Sequence, residues 1–377
     1  MLGSQRALFD LPEDVVWLNC AQHSPALRSV TAAALSGIER KRHPWRLGPA
    51  QYQDDVAELR GLYGKLIGAK AVDIAIVPSV SYAISLAAAN LSVPRGRQVV
   101  VLEEQFPSNI YPWRAAAARD GGAVVTVARP ADGDWTAAVL AALDERCAVL
   151  ALPNHHWMDG GSLDLARLAA AARDLGAALV LDATQSIGAA PFDVAAVRPD
   201  FLVAGAYKWL LGPYSFGFLY AAPHRQLGRP LEEAWSSREA SHDSSRLTDY
   251  SDSYFPDARR YDVGERGNYI AVPMAAAALR QILDWQVPAI ADGIAPLVAA
   301  LAAGAEALGL KATPAAHRAP HFLGLRAERP LRADLVERLR EEKIYLSQRG
   351  DSLRVSPHLY NDMAEVERLL ESLARLL

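Results

Sequence analysis

Cysteine is scarce in this chain of 377 residues: Cys20 and Cys147 are the only two. Thiols so few and so far apart build neither a disulfide framework nor a cysteine-based metal site. Positive charge is not in excess either. A net charge of −4 and a pI near 6.2 leave no basic face for nucleic acid or an anionic membrane. No apolar run reads as long and charge-free enough to span a bilayer, since Lys208 interrupts the best candidate. The segment Met1–Leu18 carries acids where a signal peptide needs an apolar block. Repeats and low-complexity tracts are also missing. The expectation is a cytoplasmic enzyme without nucleic-acid or membrane partners.

What is present is apolar residue in quantity, at 51%. That is enough for a large core and, at this length, for one large and one smaller domain. Short apolar runs at Ile74–Val77, Val99–Leu102, Ala123–Ala128, Ala148–Leu152, Ala178–Leu181, Phe201–Ala204 and Phe216–Tyr220 read as strands. Helical patterns at Gln51–Ile67, Ser81–Leu91, Asn109–Arg119, Trp135–Leu143 and Ser162–Leu175 alternate with them. This alternation predicts an α/β fold with a doubly wound, mostly parallel sheet. Leu231–Arg260 is polar, lacks a period and reads as a long ordered loop. Val272–Trp285 is helical again. Beyond Pro288 a smaller α/β unit is expected, with helices at Ile290–Leu308 and Asp362–Leu377 and strands near Phe322–Leu325 and Ser352–Val355.

Two of the apolar runs end in chemistry. One ends in Asp182, with Gln185 three residues later, and the next leads into Tyr207-Lys208. Parallel strands deliver such residues to the carboxyl edge of a sheet, where α/β proteins place their sites. An acid and a lysine at one edge suit pyridoxal 5'-phosphate. The lysine holds its aldehyde as a Schiff base, and the acid keeps the pyridine nitrogen protonated so that the ring acts as an electron sink. Val77-Pro78-Ser79-Val80-Ser81 offers a strand end, a turn and a helix start, which suits either a phosphate cradle or a plain serine N-cap. The adjacent His155 and His156 diverge in direction and have no ligand-spaced partner, so no metal site is read there. Asp159 and Asp164 read as caps of the following helix.

The Asp182-x-x-Gln185 and Tyr207-Lys208 positions resemble fold-type I pyridoxal-phosphate enzymes, in the class V aminotransferase branch shared with cysteine desulfurases, kynureninase and isopenicillin N epimerase. The resemblance implies a large cofactor-binding domain over residues 21–285 and a discontinuous small domain from 1–20 and 286–377. It implies that Ser79, Ser81 and the backbone of Val80 cradle the phosphate, with help from Tyr207. Phe106 would stack on one face of the ring and Ala183 or Ala204 on the other, while Gln185 meets the ring hydroxyl. His156 and Trp157 would line the pocket. The stretch Asp351–Asn361 is similar to the family's C-terminal motif, which makes Arg354 the anchor for an amino acid's α-carboxylate, with Arg349 a weaker candidate. Asn19–Pro25, including His23, resembles a segment along the substrate channel. Glu265–Tyr269 resembles a loop whose Gly267 and Asn268 reach the partner's phosphate in a homodimer with its active site at the subunit interface, although the usual threonine is missing.

The resemblance further implies an external aldimine whose Cα proton passes to Lys208, leaving a quinonoid carbanion. An aminotransferase-type reaction on an α-amino acid is the first expectation. A carbon–sulfur or kynureninase-like lyase is the alternative, and a non-catalytic binding or regulatory protein on the same fold is the reading from another class. Residues 344–350 contain no cysteine, so a persulfide-forming desulfurase is not expected.

Overall fold

The computed structural model describes residues 2–377; the side chains of 49–52, 240, 242 and 244 lie outside that description. The chain opens with a short strand β1 (Val16–Trp17) and the helices α1 (Arg28–Arg42) and α2 (Pro49–Ile67). The apolar runs then form β2 (Ile74–Val77), β3 (Gln98–Leu102), β4 (Ala123–Val127), β5 (Cys147–Pro153), β6 (Ala178–Asp182), β7 (Phe201–Gly205) and β8 (Gly217–Ala221). Between them lie α3 (Val80–Asn90), α4 (Tyr111–Asp120), α5 (Trp135–Ala142), α6 (Leu165–Asp174) and the single turn α7 (Val194–Val197).

These seven strands make one sheet in the order β2-β8-β7-β6-β5-β3-β4. Every strand of β2, β3, β6, β7 and β8 is buried along its whole length, because helices cover both faces. Along β6, Leu179 and Leu181 enter one apolar cluster while Ala178 and Val180 enter the other. Only β8 runs against its neighbours, pairing antiparallel with both β2 and β7. The connection 206–216 explains this. It contains no helix and is too short for the crossover of about a dozen residues or more that a parallel return needs.

The remaining elements are α8 (Ala271–Trp285), α9 (Val287–Glu306), β9 (Leu310–Ala312), β10 (Leu323–Ala327), α10 (Leu335–Glu341), β11 (Ile344–Tyr345), β12 (Ser347–Arg349), β13 (Ser352–Val355) and α11 (Met363–Leu376). A second sheet runs β12-β13-β10-β9. The N-terminal segment joins this region: β1 pairs with β11, Asn19 bridges Ser356, and the Gln5 amide donates to Leu359 O at 2.8 Å. Residues 231–260 form several 3-10 turns, with one bridge between Arg238 and Tyr254.

Two features depart from expectation. Helix α1 has no apolar stripe to announce it, since only Val30 and Gly37 are buried. Gly37 is there for close approach: a Cβ would sit 2.2 Å from Tyr269 O. The other departure is α9, which at 20 residues does reach the length and apolar composition of a membrane span. Its Ile290–Ile294–Leu297–Val298–Leu301 face is buried and packs on α11, β9 and β10, while alanines on the outer face raise the hydropathy.

Candidate active site

Asp182 closes β6 and Lys208 follows β7, so adjacent parallel strands deliver both to the carboxyl edge of the sheet. They line a cavity of about 200 Å³ together with Ser79, Val80 and Ser81 before α3, and with Phe106 after β3. Gln185, Tyr207 and Trp157 also line it. Residues far apart in the chain thus meet because each sits just past a strand end.

Lys208 is buried, with its Nζ 5.5 Å from the centre of the Phe106 ring and 5.4 Å from that of Tyr207. Burial, then the nearby Arg354, lowers its amine to about 7, against an opposing pull from Asp182. The folded value lies below the unfolded one, so between them the unfolded chain binds more protons and stability rises with pH. The penalty is therefore complete below about pH 7. Lys208→Met in the cofactor-free protein is expected to raise the melting temperature at pH 7, with the gain shrinking as pH rises toward 10. A gain that does not change with pH would contradict the buried amine's part in it.

Asp182 accepts from the Thr184 amide at 3.1 Å, and burial raises its pKa despite that bond and Lys208. At the other end of the cavity, Ser79 caps α3 by accepting from the Tyr82 amide at 3.1 Å. The Ser81 hydroxyl lies 2.7 Å from that of Ser108. The Val80 and Ser81 amides donate to nothing among the described residues, which leaves the helix start open to an anion. Gln185 accepts from Trp209 Nε1 at 2.8 Å and donates to Ala21 O at 3.0 Å, so one amide hydrogen stays free. Burial pushes the Tyr207 phenol up to about 12.

Several expected residues are placed elsewhere. His156 does not border the cavity; it is fully buried, stacked on Trp135 with ring centres 5.3 Å apart, and within 3.1 Å of Glu103 O. The histidine in the cavity wall is His155, whose Nδ1 lies 2.9 Å from Ser162 Oγ. Pro153, His155 and Trp157 share one parity past the end of β5, and that period of two was the missed signal. Neither Ala183 nor Ala204 borders the cavity; both belong to the opposite core, and Thr184 takes the position by the same parity from Asp182. Asp164 does cap α6, but Asp159 instead pairs with Arg129 and accepts from the Gly161 amide.

Gly267 lies away from this cavity, beside Arg40, Asp55 and Val56. Asn268 accepts from the Ile270 and Ala271 amides at the start of α8. Within one chain neither reaches the site. His23 is exposed at the mouth, its ring 5.0 Å from Tyr207 and 5.3 Å from Tyr214, a cavity residue that sequence reasoning did not name.

Arg354 does not itself border the cavity: 1% exposed, it meets the wall residue Trp157, donating through Nη1 to Trp157 O at 3.0 Å. Its Nε has no hydrogen-bond partner, and no carboxylate pairs with it among the described residues. Burial and the nearby Arg349 lower it to about 9. A buried guanidinium without an acid is costly unless an anion arrives to meet it.

The model of the family described as Aminotransferase class-V matches residues 48–369. The chain belongs to that family. Family members use pyridoxal phosphate, and this chain is dependent on it as they are. Among curated relatives, a Bacillus subtilis protein described as an uncharacterized aminotransferase is 28% identical over 84% of this chain and 82% of its own length. Isopenicillin N epimerase of Amycolatopsis lactamdurans is 26% identical over 82% of each chain. Kynureninase of Deinococcus radiodurans is 28% identical over 70% of this chain and 64% of its own. The fold is that of C-DES with glycine covalently linked to its PLP cofactor, at a TM-score of 0.88, 20% identity and coverage of 99% and 100%. The apo cysteine desulfurase of Thermococcus onnurineus NA1 matches at a TM-score of 0.86, 19% identity and coverage of 100% and 98%. The residues of this site fit the cofactor: a buried amine for its aldehyde, a buried acid for its ring nitrogen, and an open helix start for its phosphate.

Proposed function

We propose that this protein is an aminotransferase-type enzyme acting on an α-amino acid, with Lys208 and Asp182 as its catalytic residues. Bound pyridoxal phosphate supplies the electron sink that makes the amino acid's Cα–H acidic. Asp182 stands where it would hold a proton on the ring nitrogen, and its buried, raised pKa favours sharing one. Ser79, Ser81 and the free Val80 amide would hold the cofactor's phosphate, with Tyr207 beside them. Phe106 and Thr184 would flank its ring, and Gln185 would offer its remaining amide hydrogen to the ring oxygen. Lys208, near 7, is partly neutral at physiological pH and can take a proton from Cα and deliver it elsewhere. The carrying observation is Arg354: a buried cation beside Lys208 with no acid of its own fits an α-carboxylate.

A carbon–sulfur or kynureninase-like lyase is the second reading, supported by the kynureninase relative. Phe106 carries no acid/base group, so Lys208 serves the proton transfers in either reaction. Mixing loaded protein with an amino-acid panel separates them. Transamination is expected to yield a keto acid and convert the cofactor to its pyridoxamine form. Release of pyruvate, alanine or a thiol with the aldehyde form retained would replace the aminotransferase reading by the lyase one. Homodimerisation, with Gly267 and Asn268 meeting the partner's phosphate, belongs to this proposal, as does the division at residues 20 and 285.

A further inference from the structure

Arg354 is not alone. In the hairpin of β12 and β13, Ser347 pairs with Arg354 and Arg349 pairs with Ser352. Directly opposed residues share a face, and so do residues two apart, so Arg349 and Arg354 are diagonal neighbours on one face. Both guanidinium carbons stand over one indole, 5.7 Å and 6.0 Å from the Trp157 ring centre. That indole is part of the cavity wall.

Like charges so placed repel, and among the described residues no acid pairs with either. Asp351, the nearest carboxylate on the hairpin, pairs at 3.4 Å with Arg326 of β10 instead. Half-buried Arg349 donates only to Gln348 O at 2.9 Å and to Gln22 Oε1 at 3.3 Å. Elsewhere, Arg60 pairs with Asp262 and Arg129 with Glu104, while buried Arg260 is met by the carbonyls of Phe255 and Gly228. Arg349 also acts electrostatically on both Lys208 and Arg354. Among the described residues, the cavity and the arginines that meet its Trp157 wall therefore set Lys208, Arg349 and Arg354 against Asp182. One α-carboxylate satisfies one guanidinium and leaves the other unanswered.

The geometry points to Arg349 as a specificity-determining residue that binds a second anionic group, so the substrate is an α-amino acid with an acidic side chain. This rests on the proposed role of Arg354 and deepens it. The acid is recognised by charge-assisted hydrogen bonds from a planar fork, while Trp157 beneath it keeps water from one face of the guanidinium.

The test uses the holoenzyme and reads binding from cofactor absorbance and calorimetry, so it does not depend on which reaction follows. Glutamate and glutamine, or aspartate and asparagine, have nearly the same shape and differ in the charge. The wild-type protein is expected to bind the acid about 10- to 100-fold more tightly than its amide, the worth of one charged hydrogen-bonded contact. In Arg349→Gln the acid-to-amide ratio is expected to fall at least about tenfold, with Arg349→Lys restoring part of it. Equal binding of acid and amide by the wild type would overturn the inference without touching the aminotransferase reading. So would an Arg349→Gln protein that weakens both in proportion, because Arg349 would then serve the α-carboxylate. Failure of every amino acid to bind would sink the proposed function itself.

Discussion

Replacing Lys208 by alanine is expected to lower turnover of the loaded enzyme by roughly 10²–10⁴-fold, the usual worth of a positioned acid/base, with loss of the covalent anchor in addition. No neighbour can take over. Burial and the nearby His321 hold His155 far below the usual histidine range, which makes it a poor base. Tyr207 is pushed up to about 12, and Asp182 is held by Thr184 and directed to another proton. Arginine is no substitute either, since the Arg354 guanidinium, even lowered to about 9, holds its proton at physiological pH and cannot accept another. Removal of the side chain opens room between Phe106 and Tyr207, so small primary amines in solution are expected to restore part of the rate. That rescue separates a lost proton carrier from a damaged fold. Turnover at the wild-type rate would end the case for Lys208.

The same residue shows why some of this site was legible before the structure. Asp182 and Lys208 stand at the ends of apolar runs, and a polar group there has few structural reasons to exist. Strand ends are also set by local sequence, so β2 and β13 fall where their apolar residues place them. Past the strand ends that guidance weakens. The sequence points to His156 where the structure places His155, and to Ala183 or Ala204 where it places Thr184, because a loop hides the parity that the strand displays. Tyr214 and Ser108 reach the cavity only through the tertiary arrangement. Helix α1 was invisible for another reason: it packs on α8 with only Val30 and Gly37 buried, and Gly37 serves a close approach to the backbone at Tyr269, so no apolar stripe marks it. Arg349 was visible as a residue, but its weight comes from the acid it lacks, which no linear pattern reports.

Arg354→Met is expected to do two opposite things. It should raise KM for the amino acid about 100-fold, since two charge-assisted hydrogen bonds to the carboxylate are lost. It should also stabilise the cofactor-free protein. Methionine fills the same apolar setting without a cation that has no counter-ion, and such replacements are often worth about 1–4 kcal/mol. Against this stands the lost bond to Trp157 O, about 1 kcal/mol in a typical case. The desolvation relief is the larger. Its pH dependence is fixed by sign: the guanidinium is lowered to about 9 in the folded chain, below its unfolded value. Between those values the unfolded chain binds more protons, so the wild type regains stability as pH rises above about 9. The variant's advantage in melting temperature is therefore expected at pH 7–8 and should narrow above pH 9. A variant that melts lower than wild type at pH 7 would mean that Arg354 is held by more than Trp157. It would then be a structural cation, and its claim on the substrate carboxylate would fall with it.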